Sequence, residues 1–264
     1  MKALAVLPVL FAMQVLAEDP RVTSLVQKGD AAELQGNTRA ALASFRAAES
    51  IEPQNVGVLL RISKEFGDLI ETTKPEENAK RMADLALTYG TRALELDHNN
   101  AKAHLNLAVS YGHMTDFVGN KTKLEYSKVI YDETQKSIEL DPHDDFAWHV
   151  MGRWQAGVAN INGMLKALCT LVYGGMPKAS NEEAVRCFKK ALEIAPQRIM
   201  HHGELAHVYK QMGKNDLALQ EWQNILGIRA QDGDDEKYQQ EARAALDAAR
   251  KTRGNDGSKF TSER

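Results

Sequence analysis

Apolar residues recur along this chain at steps of three and four, the period that places them on one face of an α-helix. The pattern repeats, because five segments each place a small or apolar residue three positions after a large one. These segments are 40–55, 86–100, 130–144, 184–198 and 218–232. Such repetition predicts an array of helix pairs, in which each pair buries its apolar face against its neighbours.

The first and fifth units are the most regular. They begin at Val22 and Ile199, and both carry small and aromatic residues at the positions that mark a tetratricopeptide repeat. The marked residues are Gly29, Ala32, Gly36, Ala41, Phe45, Ala48 and Pro53 in the first unit and Leu205, Ala206, Tyr209, Gly213, Ala218 and Trp222 in the fifth. We therefore predict an all-α fold, a right-handed α-solenoid of about five tetratricopeptide-like helix pairs.

Small residues in this pattern have a packing role. Alanine or glycine lets two antiparallel helices approach closely, and we expect Phe45, Phe188 and Trp222 to fill the space beside them. Gly36 and Gly213 are predicted in the turns within the first and fifth pairs, where an unhindered backbone is useful.

The three middle units are longer, because residues are inserted between their two helices, near 70–80, 116–126 and 160–180. Thr73 and Ser180 each stand three residues before a glutamate, which predicts a capping box at the restart of the second helix. The insert 161–173 is apolar at helical spacing. We expect it to pack on the fourth unit, rather than to contact a partner or a membrane.

The segment 146–196 is the most distinctive. Gly152-Arg153-Trp154 lies in a predicted helix, the apolar insert follows, and the chain restarts into a helix with Ala184, Phe188 and Pro196. This arrangement resembles the regulator of microtubule dynamics family of tetratricopeptide-like proteins, and the resemblance extends over roughly 22–250. It implies an interaction scaffold with a protein or peptide partner. For the eukaryotic members it also implies microtubules as the partner and the cytoplasm as the location.

The two ends of the chain differ from the repeats. Residues 1–17 have one early charge, an apolar run and small residues at the end, which predicts a signal peptide cleaved after Ala17 and export to the periplasm or outside the cell. An uncleaved anchor and a mitochondrial targeting segment are the alternatives. We expect the repeat domain to cover 18–250, with a capping helix after the fifth unit, and 251–264 to be a disordered tail.

Composition excludes some classes of protein. Loss of Lys2 with the signal peptide would change the formal net charge from −3 to −4, with no basic excess for nucleic-acid binding. Two cysteines do not make a disulfide scaffold. Cys169 and Cys187 are either paired or buried as free thiols.

Candidate chemistry is sparse. The sequence contains no nucleophile elbow, P-loop or dinucleotide fingerprint, so we expect no enzyme and no cofactor. His201, His202 and His207 are clustered but lack the spacing of a zinc site, which favours histidines on a helix surface. A metal-dependent periplasmic protein that uses these histidines is the alternative.

The pattern predicts a binding groove lined by the first helix of each pair. Taking positions two, five, nine and twelve of those helices, we predict a partner-binding set that mixes cations with apolar side chains. Its members are Lys64, Lys102, Leu105, Phe146, His149, Arg153, Met200, His207 and Lys210. A partner segment with an apolar anchor and acidic residues would fit this set. The alternative for the cations is an ordinary solvated surface.

Overall fold

The computed structural model describes residues 19–161, 178–231 and 233–259, together with the single positions 163, 167 and 170. Within these ranges the chain forms eleven α-helices, one short 3-10 helix and no strand. The helices are α1 Pro20–Glu33, α2 Thr38–Ile51, α3 Val56–Thr72, α4 Glu76–Leu96, α5 Ala101–Met114, the 3-10 helix Thr115–Phe117, α6 Asn120–Leu140, α7 Asp145–Ala159, α8 Asn181–Ile194, α9 Ile199–Gln211, α10 Asn215–Leu226 and α11 Gly233–Lys259.

Consecutive helices form five pairs, α1–α2, α3–α4, α5–α6, α7–α8 and α9–α10, and each pair packs on the next. Most of the helices have 12 to 17 residues, a length that is marginal for an isolated helix, so burial against the neighbouring helices supplies most of their stability. The predicted all-α solenoid is confirmed.

Turns and caps follow from local residue types. Gly36 and Gly213 adopt positive φ angles of 68° and 71° in the turns within the first and fifth pairs, as predicted. Three helices, α2, α3 and α5, begin after an asparagine whose side chain accepts a hydrogen bond from the backbone N–H three residues later. These residues are Asn37, Asn55 and Asn100.

The two predicted capping boxes have different outcomes. Ser180 Oγ accepts a hydrogen bond of 3.1 Å from the backbone N–H of Glu183, so this residue caps α8 as predicted. The prediction for Thr73 is wrong, because its hydroxyl donates to the carbonyl of Leu69 at 2.6 Å and closes the end of α3. Pro75 then precedes the first turn of α4 without a side-chain cap.

Glycines allow the closest helix crossings. A Cβ atom added at Gly29 would lie 2.2 Å from Cε1 of Phe45, and one added at Gly152 would lie 2.8 Å from Cε1 of Phe188. Both aromatic rings are fully buried, and Trp222 is only 2% exposed. The predicted pairing of small with large residues is confirmed, and it fixes the distance between the paired helices.

Helix α11 covers the last pair. Ala242 is buried against Ile199, Trp222 and Ile225, as expected of a capping helix. The helix runs on to Lys259, although the pattern predicts a disordered tail from residue 251. Once formed, a helix gains one hydrogen bond per added residue, so the loss of apolar period does not by itself end it.

Some predictions lie outside the described residues. They concern the signal peptide 1–17, most of the insert 161–173 with Cys169, and residues 260–264. Cys187 is a buried free thiol, and burial raises its pKa to about 12. Within the ranges that the structure covers, no helix is long and apolar enough to cross a membrane.

Candidate interaction surface

The first helices of the pairs, α1, α3, α5, α7 and α9, lie side by side in one layer. Arg61 of α3 donates to Asp30 of α1 at 2.7 Å. The hydroxyl of Ser63 on α3 and the amide oxygen of Asn106 on α5 are also 2.7 Å apart. Helices α7 and α9 are in direct contact as well. The layer is therefore held by polar contacts between units as well as by apolar packing.

An ion pair shows how this layer curves. Lys237 Nζ of α11 lies 3.5 Å from Glu71 Oε2 of α3. Helix α11 packs on the fifth pair and α3 belongs to the second, so the layer bends until these helices approach each other. The surface of α3, α5, α7 and α9 that lies between Glu71 and Lys237 is called here the inner face.

Arg153 of α7 lies on the inner face. Its side chain is exposed and makes no hydrogen bond or ion pair with any residue that the structure describes. Its charge nevertheless acts on several helices. Burial is the main reason why the pKa of His113 on α5 is lowered, and the charge of Arg153 contributes in the same direction. Arg153 also favours the ionised form of Glu204 on α9.

Glu204 is held as a carboxylate by its neighbours. Burial opposes its ionisation, but His207, Arg153 and Tyr238 outweigh that effect and lower its pKa to about 2. The hydroxyl of Tyr238 donates to Glu204 Oε1 at 3.0 Å, and His207 Nε2 lies 2.8 Å from Glu241 Oε1. Because Glu204 and Glu241 flank it, the pKa of His207 is raised. These contacts join α9 to α11 beside Arg153.

The predicted role of His149 as a groove residue is wrong. It is 1% exposed, and its Nδ1 lies 3.0 Å from Nδ1 of His201, which is fully buried rather than on a helix surface. His201 Nε2 lies 2.8 Å from Asp145, which also accepts a hydrogen bond of 2.7 Å from Arg198. Burial and the neighbouring imidazole lower the pKa of His149 to about 3. The two histidines are thus neutral core residues that join α7 to α9.

The other predicted groove residues fall into three groups. Leu105 is buried at 7% exposure beside Met151 and Trp154, so its predicted role at the surface is also wrong. Leu105 and His149 both occupy the fifth position of their helix. In both cases a helix of the next unit covers this position, α7 over Leu105 and α9 over His149. Phe146, Met200 and His207 are half-buried. The exposed members are Lys64, Lys102, Arg153 and Lys210.

The alternative metal site finds no support in the positions of its histidines. Among the described residues no group of three or more His, Cys, Asp or Glu side chains is arranged to hold a metal. His202 Nδ1 lies 2.7 Å from Glu221, while His201 and His207 have other partners on other helices. Each histidine therefore serves a separate contact.

A group of charged residues was missed at the sequence level. Lys64 lies beside Glu33, Glu65 and Asp68, and we call these four residues the Lys64 cluster. Glu65 is fully buried, and its carboxylate oxygens accept no hydrogen bond from a described N–H or O–H donor. Its partners are the Lys64 ammonium at 3.8 Å and, when Glu65 is protonated, Glu33. A signal was available, because Glu65 follows Ile62 by three positions on the apolar face of α3. A glutamate there interrupts the apolar pattern.

The comparisons with known proteins agree with this architecture. A solved thermophilic TPR protein of Thermus thermophilus is 16% identical, with a TM-score of 0.66 over 85% of this chain and 98% of that one. At this low identity the match shows the fold alone.

Sequence relatives are more specific. The mouse regulator of microtubule dynamics protein 1 is 32% identical over 148 residues, which cover 56% of this chain and 48% of the mouse protein. The human regulator of microtubule dynamics protein 2 is 26% identical over 160 residues, or 60% and 39% of the two chains. The matched regions span less than half the length of these relatives. The sequence model of the family described as "Regulator of microtubule dynamics protein 1-3" matches residues 25–250. Because that match covers most of the sequence, this chain belongs to the regulator of microtubule dynamics family.

Proposed function

We propose that this protein is a non-enzymatic scaffold that binds a segment of a protein partner on its inner face, with Arg153 as the anchoring cation. The observation that carries the proposal is the exposed guanidinium of Arg153, which has no partner among the described residues. A guanidinium offers a planar set of five N–H donors that matches a carboxylate in two parallel hydrogen bonds.

The remaining exposed cations support the same chemistry. Lys102 and Lys210 lie on α5 and α9, either side of α7, and both are exposed. Phe146 and Met200 are half-buried and leave apolar surface for an anchor. A segment with acidic residues and one apolar side chain would fit these groups, because long-range charge attraction guides binding and apolar burial strengthens it.

The non-enzymatic character is supported by the use of the titratable groups. His149 and His201 join α7 to α9 in the core, and Glu204 and His207 join α9 to α11. Side chains committed to such contacts stabilise the junctions between repeats.

Microtubules are the second candidate partner. The mouse and human relatives carry the name of regulators of microtubule dynamics, which favours a cytoskeletal partner in a eukaryotic cytoplasm. The predicted signal peptide favours a different partner, because an exported chain would not meet cytoplasmic microtubules. Co-sedimentation of the purified protein with microtubules separates the two candidates.

Charge reversal at Arg153 tests the proposal. The wild type and Arg153→Glu are crosslinked in the native compartment, and captured proteins are quantified by mass spectrometry. The matched control is Arg81→Glu, which reverses an exposed arginine on the second helix of a pair. We expect Arg153→Glu to reduce capture of the main partner at least fivefold and Arg81→Glu to leave it unchanged. Equal capture by Arg153→Glu and the wild type, at unchanged circular dichroism, would contradict the proposal.

A further inference from the structure

Four turns of four residues join each helix pair to the next, at 52–55, 97–100, 141–144 and 195–198. In each turn the carbonyl oxygen of the second residue lies within hydrogen-bond distance of a side-chain nitrogen. These contacts are Arg92 with Pro53, His104 with His98, Trp148 with Pro142 and His202 with Pro196. In the last three, the side chain stands at the fourth position of the helix that follows the turn. A side chain at this position holds the start of the helix to the turn before it.

Both ring nitrogens of His202 face hydrogen-bond acceptors. Nε2 lies 3.0 Å from the carbonyl oxygen of Pro196, and Nδ1 lies 2.7 Å from Oε2 of Glu221 on α10. A carbonyl and a carboxylate can only accept, so both contacts are hydrogen bonds only when both ring nitrogens carry a proton. Imidazole is a stronger base than a carboxylate, with ordinary pKa values of about 6.5 and 4.3, so the shared proton belongs to the ring. The geometry therefore fits an imidazolium ion.

We propose that His202 is a pH switch that holds the turn between α8 and α9. As an imidazolium it bonds Pro196 and Glu221 together, and it so connects the turn to both helices of the fifth pair. When the pH rises, one ring N–H bond breaks and the proton passes to solvent. The remaining proton stays on Nδ1, because a hydrogen bond to a carboxylate is stronger than one to a carbonyl. The lone pair of Nε2 then faces the carbonyl oxygen of Pro196, and the turn is released.

The charged groups around His202 favour the closed turn near neutral pH. Burial of the ring opposes its charged form, but Glu221 and the carbonyl of Pro196 outweigh burial, so the pKa of His202 is raised. The neighbouring His201 on α9 and Arg198 in the turn both face a carboxylate of α7 instead. The stability that His202 contributes is therefore complete below about pH 6.5 and is lost as the pH rises through the raised pKa.

The turn between α6 and α7 is a reference within the same chain. Trp148 takes the place of the histidine there and donates its Nε1–H to the carbonyl of Pro142 at 3.0 Å. An indole N–H is a donor at every pH at which histidine titrates. The histidine arrangement also recurs on α5, where Nε2 of His104 lies 3.0 Å from the carbonyl of His98 and Nδ1 contacts Glu133. The array thus combines one turn held at any pH with turns held by histidine.

The first experiment follows the ring nitrogens of His202 by ¹⁵N NMR in the full chain between pH 5.5 and pH 9. At pH 6 we expect both nitrogens to have the chemical shift of a protonated imidazole nitrogen. The midpoint of the titration should lie above pH 6.5, in agreement with the raised pKa. This measurement reports the charge of the ring directly.

The second experiment compares the two turns by backbone hydrogen exchange. The N–H of Arg198 donates to the carbonyl of Ala195 at 3.2 Å, and the N–H of Asp144 donates to that of Asp141 at 3.4 Å in the reference turn. Protection factors, which remove the pH dependence of intrinsic exchange, are measured at pH 6 and pH 9. We expect the protection of Arg198 to fall at least threefold relative to that of Asp144.

Variants test the roles of the two partners. Glu221→Gln keeps an acceptor of the same shape without the charge, and it should lower the titration midpoint of His202 by at least half a pH unit. His202→Gln keeps a side-chain N–H donor that does not titrate, so the pH dependence of the Arg198 protection should disappear. The control is His143→Gln, which replaces an exposed histidine of the reference turn and should leave the titration of His202 as in the wild type.

Three outcomes overturn the proposal. They are a neutral His202 ring at pH 6, a midpoint that Glu221→Gln leaves unchanged, and an equal pH response of the Arg198 and Asp144 amides. The titration and the exchange comparison use the wild type, so they decide the question even when a variant does not fold. The proposal concerns the fold and is independent of whether Arg153 anchors a partner.

Discussion

His149 and His201 face each other through their Nδ1 atoms at 3.0 Å, inside the junction between α7 and α9. The carboxylate of Asp145 can only accept a hydrogen bond, so the proton of neutral His201 lies on Nε2. Nδ1 of His201 is then the acceptor, and Nδ1–H of His149 is the donor. The junction therefore has room for one proton between the two rings, and a second proton on this contact would place two donors face to face.

Loss of His149 should weaken this junction. In His149→Leu the ring of His201 loses its donor in a fully buried site, and we expect the free energy of unfolding to fall by about 1–3 kcal/mol. Urea unfolding followed by circular dichroism measures the change. His143→Leu is the control, because His143 is exposed and its replacement should change stability by less than about 0.5 kcal/mol. Equal stability of the two variants would show that the contact contributes nothing.

Stability should also depend on pH through this pair. The pKa of His149 is lowered to about 3 by burial and by the neighbouring imidazole, and that of His201 is lowered mainly by burial. An unfolded histidine takes up its proton near pH 6.5, so the unfolded state binds more protons below that pH. The free energy of unfolding therefore falls as the pH falls from 6.5 towards 3, by roughly 2 kcal/mol at pH 5 for His149 alone.

Other groups respond in the opposite direction, because the pKa values of His202, His207 and Glu65 are raised. The measurement is therefore the difference in free energy of unfolding between the wild type and His149→Leu/His201→Leu, taken from pH 7 to pH 5. We expect the wild type to lose stability relative to the double variant over this range. A constant difference would mean that neither histidine has a lowered pKa in the folded protein.

The sequence pattern predicts the repeat architecture well because it depends on residue size and backbone freedom. Gly36, Gly213 and the contact of Phe188 with Gly152 follow directly from those properties. The inner face is harder to predict. Periodicity cannot tell whether the fifth position of a first helix faces solvent or the next unit, which is why Leu105 and His149 were misplaced. The outcome depends on how far each unit rotates relative to the next, and a single helix does not encode that rotation.

Replacement of Glu65 should stabilise the protein at alkaline pH. Its pKa is raised to about 7 by burial, so its neutral form is favoured in the folded state. The stability that this group contributes is complete below about pH 4.5 and is lost as the pH rises through 7. Glu65→Met removes the buried carboxyl group at similar volume. We expect it to be more stable than the wild type by roughly 1–3 kcal/mol at pH 8, with a smaller difference at pH 5.

The control for Glu65→Met is Glu95→Met, on the exposed surface of α4. The difference in free energy of unfolding between Glu95→Met and the wild type should be the same at the two pH values. If Glu65→Met is less stable than the wild type at pH 8, the carboxylate has a stabilising partner in the folded protein.

A methyl group at Gly203 should displace the capping helix. A Cβ atom at this position would lie 2.3 Å from Cδ1 of Tyr238, one of the residues through which α11 packs on α9. Gly203→Ala should therefore push Tyr238 away, break its hydrogen bond to Glu204, and lower the free energy of unfolding by about 1–3 kcal/mol. Hydrogen exchange should increase mainly in α11, because a solenoid transmits a local defect only to its neighbouring units.

The control is Gly112→Ala in α5, where no described atom lies within 4 Å of the added Cβ. It should raise stability by about 0.5–1 kcal/mol, since alanine favours helix more than glycine does. Faster exchange throughout the chain in Gly203→Ala would instead mean that the capping helix holds the whole array together.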